Sequence, residues 1–183
     1  MVATPRVETG RPATLYFYAD RHTAERALQA GEFRLRPSGQ SDPAPGVSPA
    51  SQILPFGAIK TMATAGFLTL SLSTALSEKL TRKDTAGLCC VVIHNIEEFG
   101  ERLHKAVHKA LPHWAGIDSA VAHAATSRLG AAFTRGRHLS GQKEWLFAWR
   151  PMQPALSLNP IVIHIGSIAS LAELREPDQE SSS

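Results

Sequence analysis

The amino-acid sequence predicts a single α+β domain of about six strands and four to five helices. Segments typical of strands and helices follow one another in irregular order, which disfavours a doubly wound parallel sheet. The chain has 183 residues, the usual length of one domain, and 43% of them are hydrophobic. A core of that size needs no metal or disulfide. We expect residues 14–175 to form this domain, between flexible tails at 1–13 and 176–183.

The first part of the domain predicts a strand, a short helix and a second strand. Residues 14–19 are aromatic and β-prone, as strands are. Asp20 then offers an N-cap for a helix, and Gly31 offers its stop before a second strand over 32–36.

Residues 37–55 predict a long exposed loop. This segment contains five prolines and little apolar surface to bury. Loops of such length inside a domain are often functional, so the segment is a candidate lid.

The remaining elements follow from apolar periodicity. Strands are predicted over 67–73, 88–94, 144–149 and 161–165. Helices are predicted from the end of the first of these strands through residue 80, over 96–111, over 117–129, and after Gly166 and Ser167. We expect the strands over 67–73 and 144–149 to lie side by side.

Charge and cysteine content exclude several classes of protein. Nineteen basic residues against sixteen acidic ones are scattered along the chain, so charge does not indicate nucleic acid. Cys89 and Cys90 are adjacent, and successive strand side chains point to opposite faces, so we expect two buried thiols without a disulfide. No segment approaches the ~20 apolar residues of a membrane span, and the N-terminus lacks an apolar signal core. We therefore expect a cytoplasmic protein that does not bind membranes, exported, if at all, without a cleaved signal peptide.

A histidine pair on the helix over 96–111 raises the question of a metal. His104 and His108 lie one turn apart, with Glu97 and Glu101 on neighbouring turns. Because no third ligand follows at a recognisable spacing, a solvated helix face is favoured and no metal is expected.

The most pointed polar pattern is at the start of the strand over 144–149. Gln142 and Glu144 are two residues apart, so on a strand they would project together into one cleft, with Trp145 packed behind. The alternative is an edge-strand Glu144 paired with a lysine or arginine. Ser73 and Thr74, at the end of another strand, are explained either as a helix cap or as ligand contacts.

Three pieces together resemble the ADP-ribosyltransferase domains of bacterial toxins and effectors. Residues 15–20, followed by a helix and Gly31, are similar to the opening strand and helix of small members. Residues 70–75 are similar to the aromatic-x-Ser-Thr-Ser strand beside the nicotinamide pocket, and residues 142–144 match the Gln-x-Glu of the catalytic strand. Phe17 stands where the family has an Arg or His that grips NAD, and Ala75 replaces the second Ser. The opening also resembles a group of uncharacterised bacterial domains that begin Leu-Tyr-x-Tyr.

The resemblance implies a split mixed or antiparallel sheet, with NAD as substrate. It implies that Glu144 holds the ribose 2′-hydroxyl, that Gln142 positions the acceptor, and that Ser73 orders Glu144. The implied cofactor contacts are a stacking tyrosine, an arginine in place of the missing Arg or His, and the second residue of the Ser-Thr pair: Tyr16, Tyr18, Arg21, Arg34, Arg36 and Thr74.

Three functions remain open from the sequence. The first is an NAD-dependent mono-ADP-ribosyltransferase or NAD glycohydrolase, acting as a toxin or effector on a protein or nucleic-acid acceptor, with an immunity or chaperone protein as partner. The second is a catalytically silent binding module of the same kind. The third is an RNA-acting toxin that uses basic residues: Arg128, Arg135, Arg137 and His138. One geometric test separates the first two functions from the third. It asks whether Glu144, Ser73 and an aromatic residue of 16–18 line one pocket.

Overall fold

The computed structural model describes residues 10–38, 66–76, 88–123, 133–135, 143–153 and 158–176. These residues form two helices and ten strands. The helices are α1 (Arg21–Ala30) and α2 (Ile96–Ala110). The strands are β1 (Leu15–Asp20), β2 (Glu32–Pro37), β3 (Leu68–Ser73), β4 (Leu88–Ile93), β5 (Trp114–Ala120), β6 (Ala122–His123), β7 (Thr134–Arg135), β8 (Glu144–Pro151), β9 (Ile161–His164) and β10 (Ala172–Arg175).

Local signals set the bounds of α1. The Asp20 carboxylate accepts a hydrogen bond from the Thr23 amide at 3.0 Å, which satisfies a free donor of the first turn. Gly31 ends the helix in the left-handed conformation, at φ 61°. A Cβ at Gly31 would also lie 2.1 Å from the Gly166 carbonyl oxygen. The predicted cap and stop are both confirmed.

Eight of the strands form one sheet, and every pairing in it is antiparallel. At its centre, β3 pairs along its whole length with β8. The other edge of β3 is shared, because β2 pairs near its start and β1 pairs at its end. Beyond these, β4 and β10 continue from β1, β9 continues from β2, and β5 continues from β8. The predicted neighbourhood of 67–73 and 144–149 is confirmed.

One face of the sheet packs against the helices. The buried stripe of α2 includes Phe99, Leu103 and Val107. Phe99 contacts Phe33 and Phe147 with edge-to-face rings at 5.4 and 5.9 Å. We call the opposite face of the sheet the outer face.

The predicted balance of helices and strands is wrong. The described residues contain two helices rather than four or five, and the sheet has eight strands, all antiparallel, rather than about six. The segment 117–129 was expected to be helical, yet β5 pairs with β8 over all seven of its residues. The segment after Ser167 forms a turn and then β10 on β4, instead of a helix. Long-range pairing thus overrides weak local propensity.

Other expectations fall mainly on residues that the structure does not describe. The predicted loop over 37–55 is seen only at Pro37, which ends β2, and at Ser38. Residues 74–76 are not helical, and the rest of the helix predicted through residue 80 lies outside the described residues. The division into one domain and two tails stays a prediction. Within the described ranges, no helix is both long and apolar enough to cross a membrane.

Candidate functional site

Three candidate residues lie in one row across three neighbouring strands. Tyr16 of β1 is directly opposite Ser73 of β3, and Ser73 is directly opposite Glu144 of β8. Residues in such register project to the same side of a sheet. Their neighbours along the chain, among them Leu72 and Trp145, belong to the core. The side chains of Tyr16, Ser73 and Glu144 therefore share the outer face, and all three are half-buried.

The row lies beside a fork in the sheet. We use this name for the stretch of β3 from Thr69, which pairs with β2, to Ser73, which pairs with β1. On the core side, Phe17 of β1 and Phe33 of β2 meet edge-to-face at 5.4 Å. These two rings cover the core side of the fork with apolar surface. Ser71, between the two pairings, is exposed on the outer face.

Glu144 lies at a boundary between polar and apolar surroundings. It is the first residue of β8, and its Oε2 atom is buried. The next residue of β8 on the outer face, Leu146, is buried in a small apolar cluster with Val121 and Phe133. The hydroxyl-bearing side chains of the row lie on the other side of Glu144. A carboxylate at such a boundary can face a ligand while part of it is shielded from water.

The Ser-Thr pair holds the peptide that precedes Glu144. The Thr74 amide and hydroxyl donate to the Lys143 carbonyl oxygen at 2.8 and 3.2 Å, and the Ser73 hydroxyl lies 3.4 Å from that oxygen. The Ser73 hydroxyl also donates to the Ala75 carbonyl at 2.7 Å. Both side chains therefore bind backbone, and they fix the start of β8 rather than cap a helix.

Tyr18 lies beside a buried cysteine instead of in the row. Cys90 is opposite Tyr18 on the outer face, and both cysteines are free and buried, as expected. Burial raises the pKa of the Cys90 thiol to about 11, although a hydrogen bond with the Tyr18 side chain acts in the opposite direction. The thiol is therefore protonated at neutral pH, which does not suit a nucleophile or a redox centre.

The candidate arginines differ in their surroundings. Arg34 and Arg36 alternate with the buried Phe33 and Leu35, so both project from the outer face of β2. Burial lowers the pKa of Arg36, and the neighbouring charge of Arg34 lowers it further. Arg21, at the start of α1, instead pairs with Glu25 at 2.9 Å and with another carboxylate at 3.1 Å.

Other candidate residues cannot be placed. Gln142, Arg128, Arg137 and His138 lie outside the described residues, and Arg135 is described only as part of β7. The structure therefore brings Tyr16, Ser73 and Glu144 into one row, while Gln142, the residue expected to position the acceptor, is not among the described residues.

Sequence reasoning missed a buried polar network on the core side of β5 and β8. The Asp118 carboxylate accepts from Arg11 Nε and Nη2 at 3.0 and 2.8 Å and from Trp145 Nε1 at 3.0 Å. His104 Nε2 lies 3.0 Å from Asp118 Oδ1, and His104 Nδ1 accepts from Trp149 Nε1 at 3.1 Å. Arg11 comes from the predicted tail and lies 107 positions away from Asp118, so no local pattern could indicate the pair.

The same network determines which nitrogen of the His104 ring carries the proton. An indole N–H only donates, so His104 Nδ1 is the acceptor of the bond from Trp149. The proton of the ring is therefore on Nε2, which donates a hydrogen bond to Asp118. Both ring nitrogens are therefore occupied, and the ring has no lone pair for a substrate or a metal. Across the part of the chain that the structure describes, no group of three His, Cys, Asp or Glu residues could hold a metal ion.

No family model, curated protein or solved structure matches the chain. The functional interpretation therefore depends on the geometry of the row and on the residues that carry the resemblance.

Proposed function

We propose that the chain consumes NAD at the row Tyr16, Ser73 and Glu144, as a mono-ADP-ribosyltransferase or an NAD glycohydrolase of the toxin or effector kind. One observation carries this proposal. The strand register places the aromatic, hydroxyl and carboxylate residues that the resemblance implies opposite one another, on one face. They are 57 and 71 positions apart in sequence (73 − 16 and 144 − 73), so only the folded sheet brings them next to one another.

The reaction needs a carboxylate close to a developing positive charge. Cleavage of the bond between nicotinamide and ribose leaves the electron pair on the nicotinamide nitrogen and develops oxocarbenium character on the ribose. A nucleophile of the acceptor, or water, then bonds to the ribose carbon and loses its proton. Glu144 would stabilise the charged sugar and hold its 2′-hydroxyl, as carboxylates do in glycoside hydrolysis. Its partial burial strengthens that interaction.

The outer face also offers groups for the rest of NAD. Tyr16 presents an aromatic ring next to Ser73, suited to stacking on nicotinamide. Arg34 is exposed on the same face and can bind a diphosphate, whereas Arg21 is held in ion pairs. Arg34 is therefore the better candidate for the role of the family's missing Arg or His.

A second candidate function has one observation in its favour. Phe17, at the position of that missing residue, packs into the core against Phe33. A domain that kept the fold and lost the cofactor grip would be a catalytically silent binding module.

Incubation of the protein with NAD separates these functions. We expect release of nicotinamide, measured chromatographically, with transfer of labelled ADP-ribose to lysate components if the activity is that of a transferase. Release without transfer indicates a glycohydrolase. Binding of NAD in calorimetry without release of nicotinamide supports the silent module, and neither binding nor release contradicts both proposals.

A further inference from the structure

The core-side network ends on the residue that follows Glu144. Trp145 is 6% exposed, and its indole Nε1 donates to Asp118 Oδ2 at 3.0 Å. Glu144 and Trp145 project to opposite faces of β8, because they are neighbours on a strand. Whatever fixes the indole of Trp145 on the core side therefore fixes the direction of Glu144 on the outer face.

A second anchor lies four residues further along β8. Trp149 faces the core like Trp145, and its indole donates to His104, which in turn bonds to Asp118. One carboxylate thus holds β8 at two points four residues apart (149 − 145), directly and through His104. These two side-chain anchors on the core face add to the backbone pairing of β8 with β3 and β5.

Asp118 has no capacity left for another partner. A carboxylate offers about four acceptor positions, and Asp118 receives two hydrogen bonds from Arg11, one from Trp145 and one from His104. Its side chain is 7% exposed. It therefore acts through other residues and does not touch a substrate.

We propose that Asp118 is a positioning residue, which sets the orientation of Glu144 through the indoles of Trp145 and Trp149. This role in activity rests on the proposed function, while the mechanical link to Glu144 does not. The start of β8 is then held by Asp118 on the core side and by the hydrogen bonds of Ser73 and Thr74 to the Lys143 carbonyl oxygen.

Amide hydrogen exchange tests the mechanical link without any activity. The Thr74 amide, which donates to the Lys143 carbonyl oxygen, reports on the backbone directly before Glu144. In Asp118→Asn we expect the exchange of Thr74 that proceeds through local opening, the part that low urea leaves unchanged, to accelerate on the order of tenfold. The amide of Val91, fully buried in β4, should accelerate only as far as the lower free energy of global unfolding requires. Unchanged local exchange at Thr74 would overturn the proposal, because the network would then act only through global stability.

Two further variants keep this test decisive. Trp145→Phe keeps an aromatic ring at this position and removes the N–H donor, so it should reproduce the selective effect at Thr74 even if Asp118→Asn does not fold. Arg102→Met is the matched control. Arg102 lies on the same helix as His104, and among the described residues its hydrogen bonds go to Glu98 of that helix and to the Ser167 carbonyl oxygen rather than to β8. Equal acceleration in Arg102→Met would contradict a specific role of the network.

Steady-state kinetics test the consequence for activity. If the wild type releases nicotinamide, Trp145→Phe should lower kcat on the order of tenfold and leave KM for NAD within about twofold, as expected for a displaced catalytic group. Unchanged kcat in a variant with selectively faster exchange at Thr74 would refute the positioning of a catalytic Glu144. A wild type without turnover would refute the proposed function, and hydrogen exchange alone would then decide the mechanical link.

Discussion

Acid should destabilise the protein specifically through Asp118. Burial of this carboxylate alone would raise its pKa. Hydrogen bonds from His104, Arg11 and Trp145, together with the charge of Arg11, outweigh burial and lower the pKa of Asp118 from 3.8 to about 2. The folded state therefore binds a proton at Asp118 less readily than the unfolded chain.

The size and sign of the effect follow from linkage. One pKa unit corresponds to about 1.4 kcal/mol, so a lowering of this size contributes on the order of 2 kcal/mol to the free energy of unfolding. This contribution is fully present above the unfolded-state pKa of 3.8 and is lost as the pH falls through the folded-state pKa of about 2. Stability should accordingly fall between about pH 5 and pH 2.

Urea unfolding followed by tryptophan fluorescence measures this contribution. Wild type and Asp118→Asn are compared at several pH values from 7 down to 2. At pH 7 the variant should be less stable by about 3 kcal/mol, because Arg11 loses its buried partner, and the difference should shrink by about 2 kcal/mol at pH 2. Parallel stability curves across the whole pH range would contradict the lowered pKa of Asp118, since other carboxylates titrate alike in both proteins.

Three further substitutions test separate parts of the account. Gly116→Ala would place a Cβ 2.4 Å from Trp149 Nε1, so it should lower the free energy of unfolding by about 1–3 kcal/mol in urea titrations, and an unchanged midpoint would contradict the close packing of β5. Phe17→Arg restores the residue type implied by the resemblance but places a charge against the core, so a melting temperature at or above that of the wild type would be incompatible with the core orientation of Phe17. Thr74→Val removes one hydroxyl bond to Lys143 and should lower NAD turnover several-fold without unfolding, and full activity would show that the remaining bonds suffice.

Elements with strong local signals could be predicted from the sequence. Asp20 and Gly31 mark both ends of α1, and the apolar stripe of α2 repeats with the helical period. β5 could not be predicted in this way. Its Gly116 and Asp118 are poor strand formers, and only the pairing with β8, together with the contacts of Asp118 on the core side, makes it a strand.

The candidate site was predictable in its residues but not in its geometry. Ser73 and Glu144 were identified from short motifs, while their direct opposition depends on the register of β3 with β8, which tertiary packing sets. The partnership of Arg11 with Asp118 is invisible in sequence, because Arg11 lies in a polar, Pro/Gly-rich segment that predicts a tail. Pairings between such distant positions appear only in the folded chain.

The rate of nicotinamide release from NAD by wild type, Glu144→Gln and Glu173→Gln tests the central claim most directly. Glu173 is a suitable control, because it is an exposed carboxylate that pairs with Arg175 at the far edge of the same sheet. We predict that Glu144→Gln lowers kcat on the order of 10²-fold, roughly 3 kcal/mol of transition-state stabilisation, with the fold intact. Glu173→Gln should retain the wild-type rate. Equal rates in wild type and Glu144→Gln, or no turnover by the wild type, would contradict the claim that Glu144 is the catalytic carboxylate of an NAD-consuming enzyme.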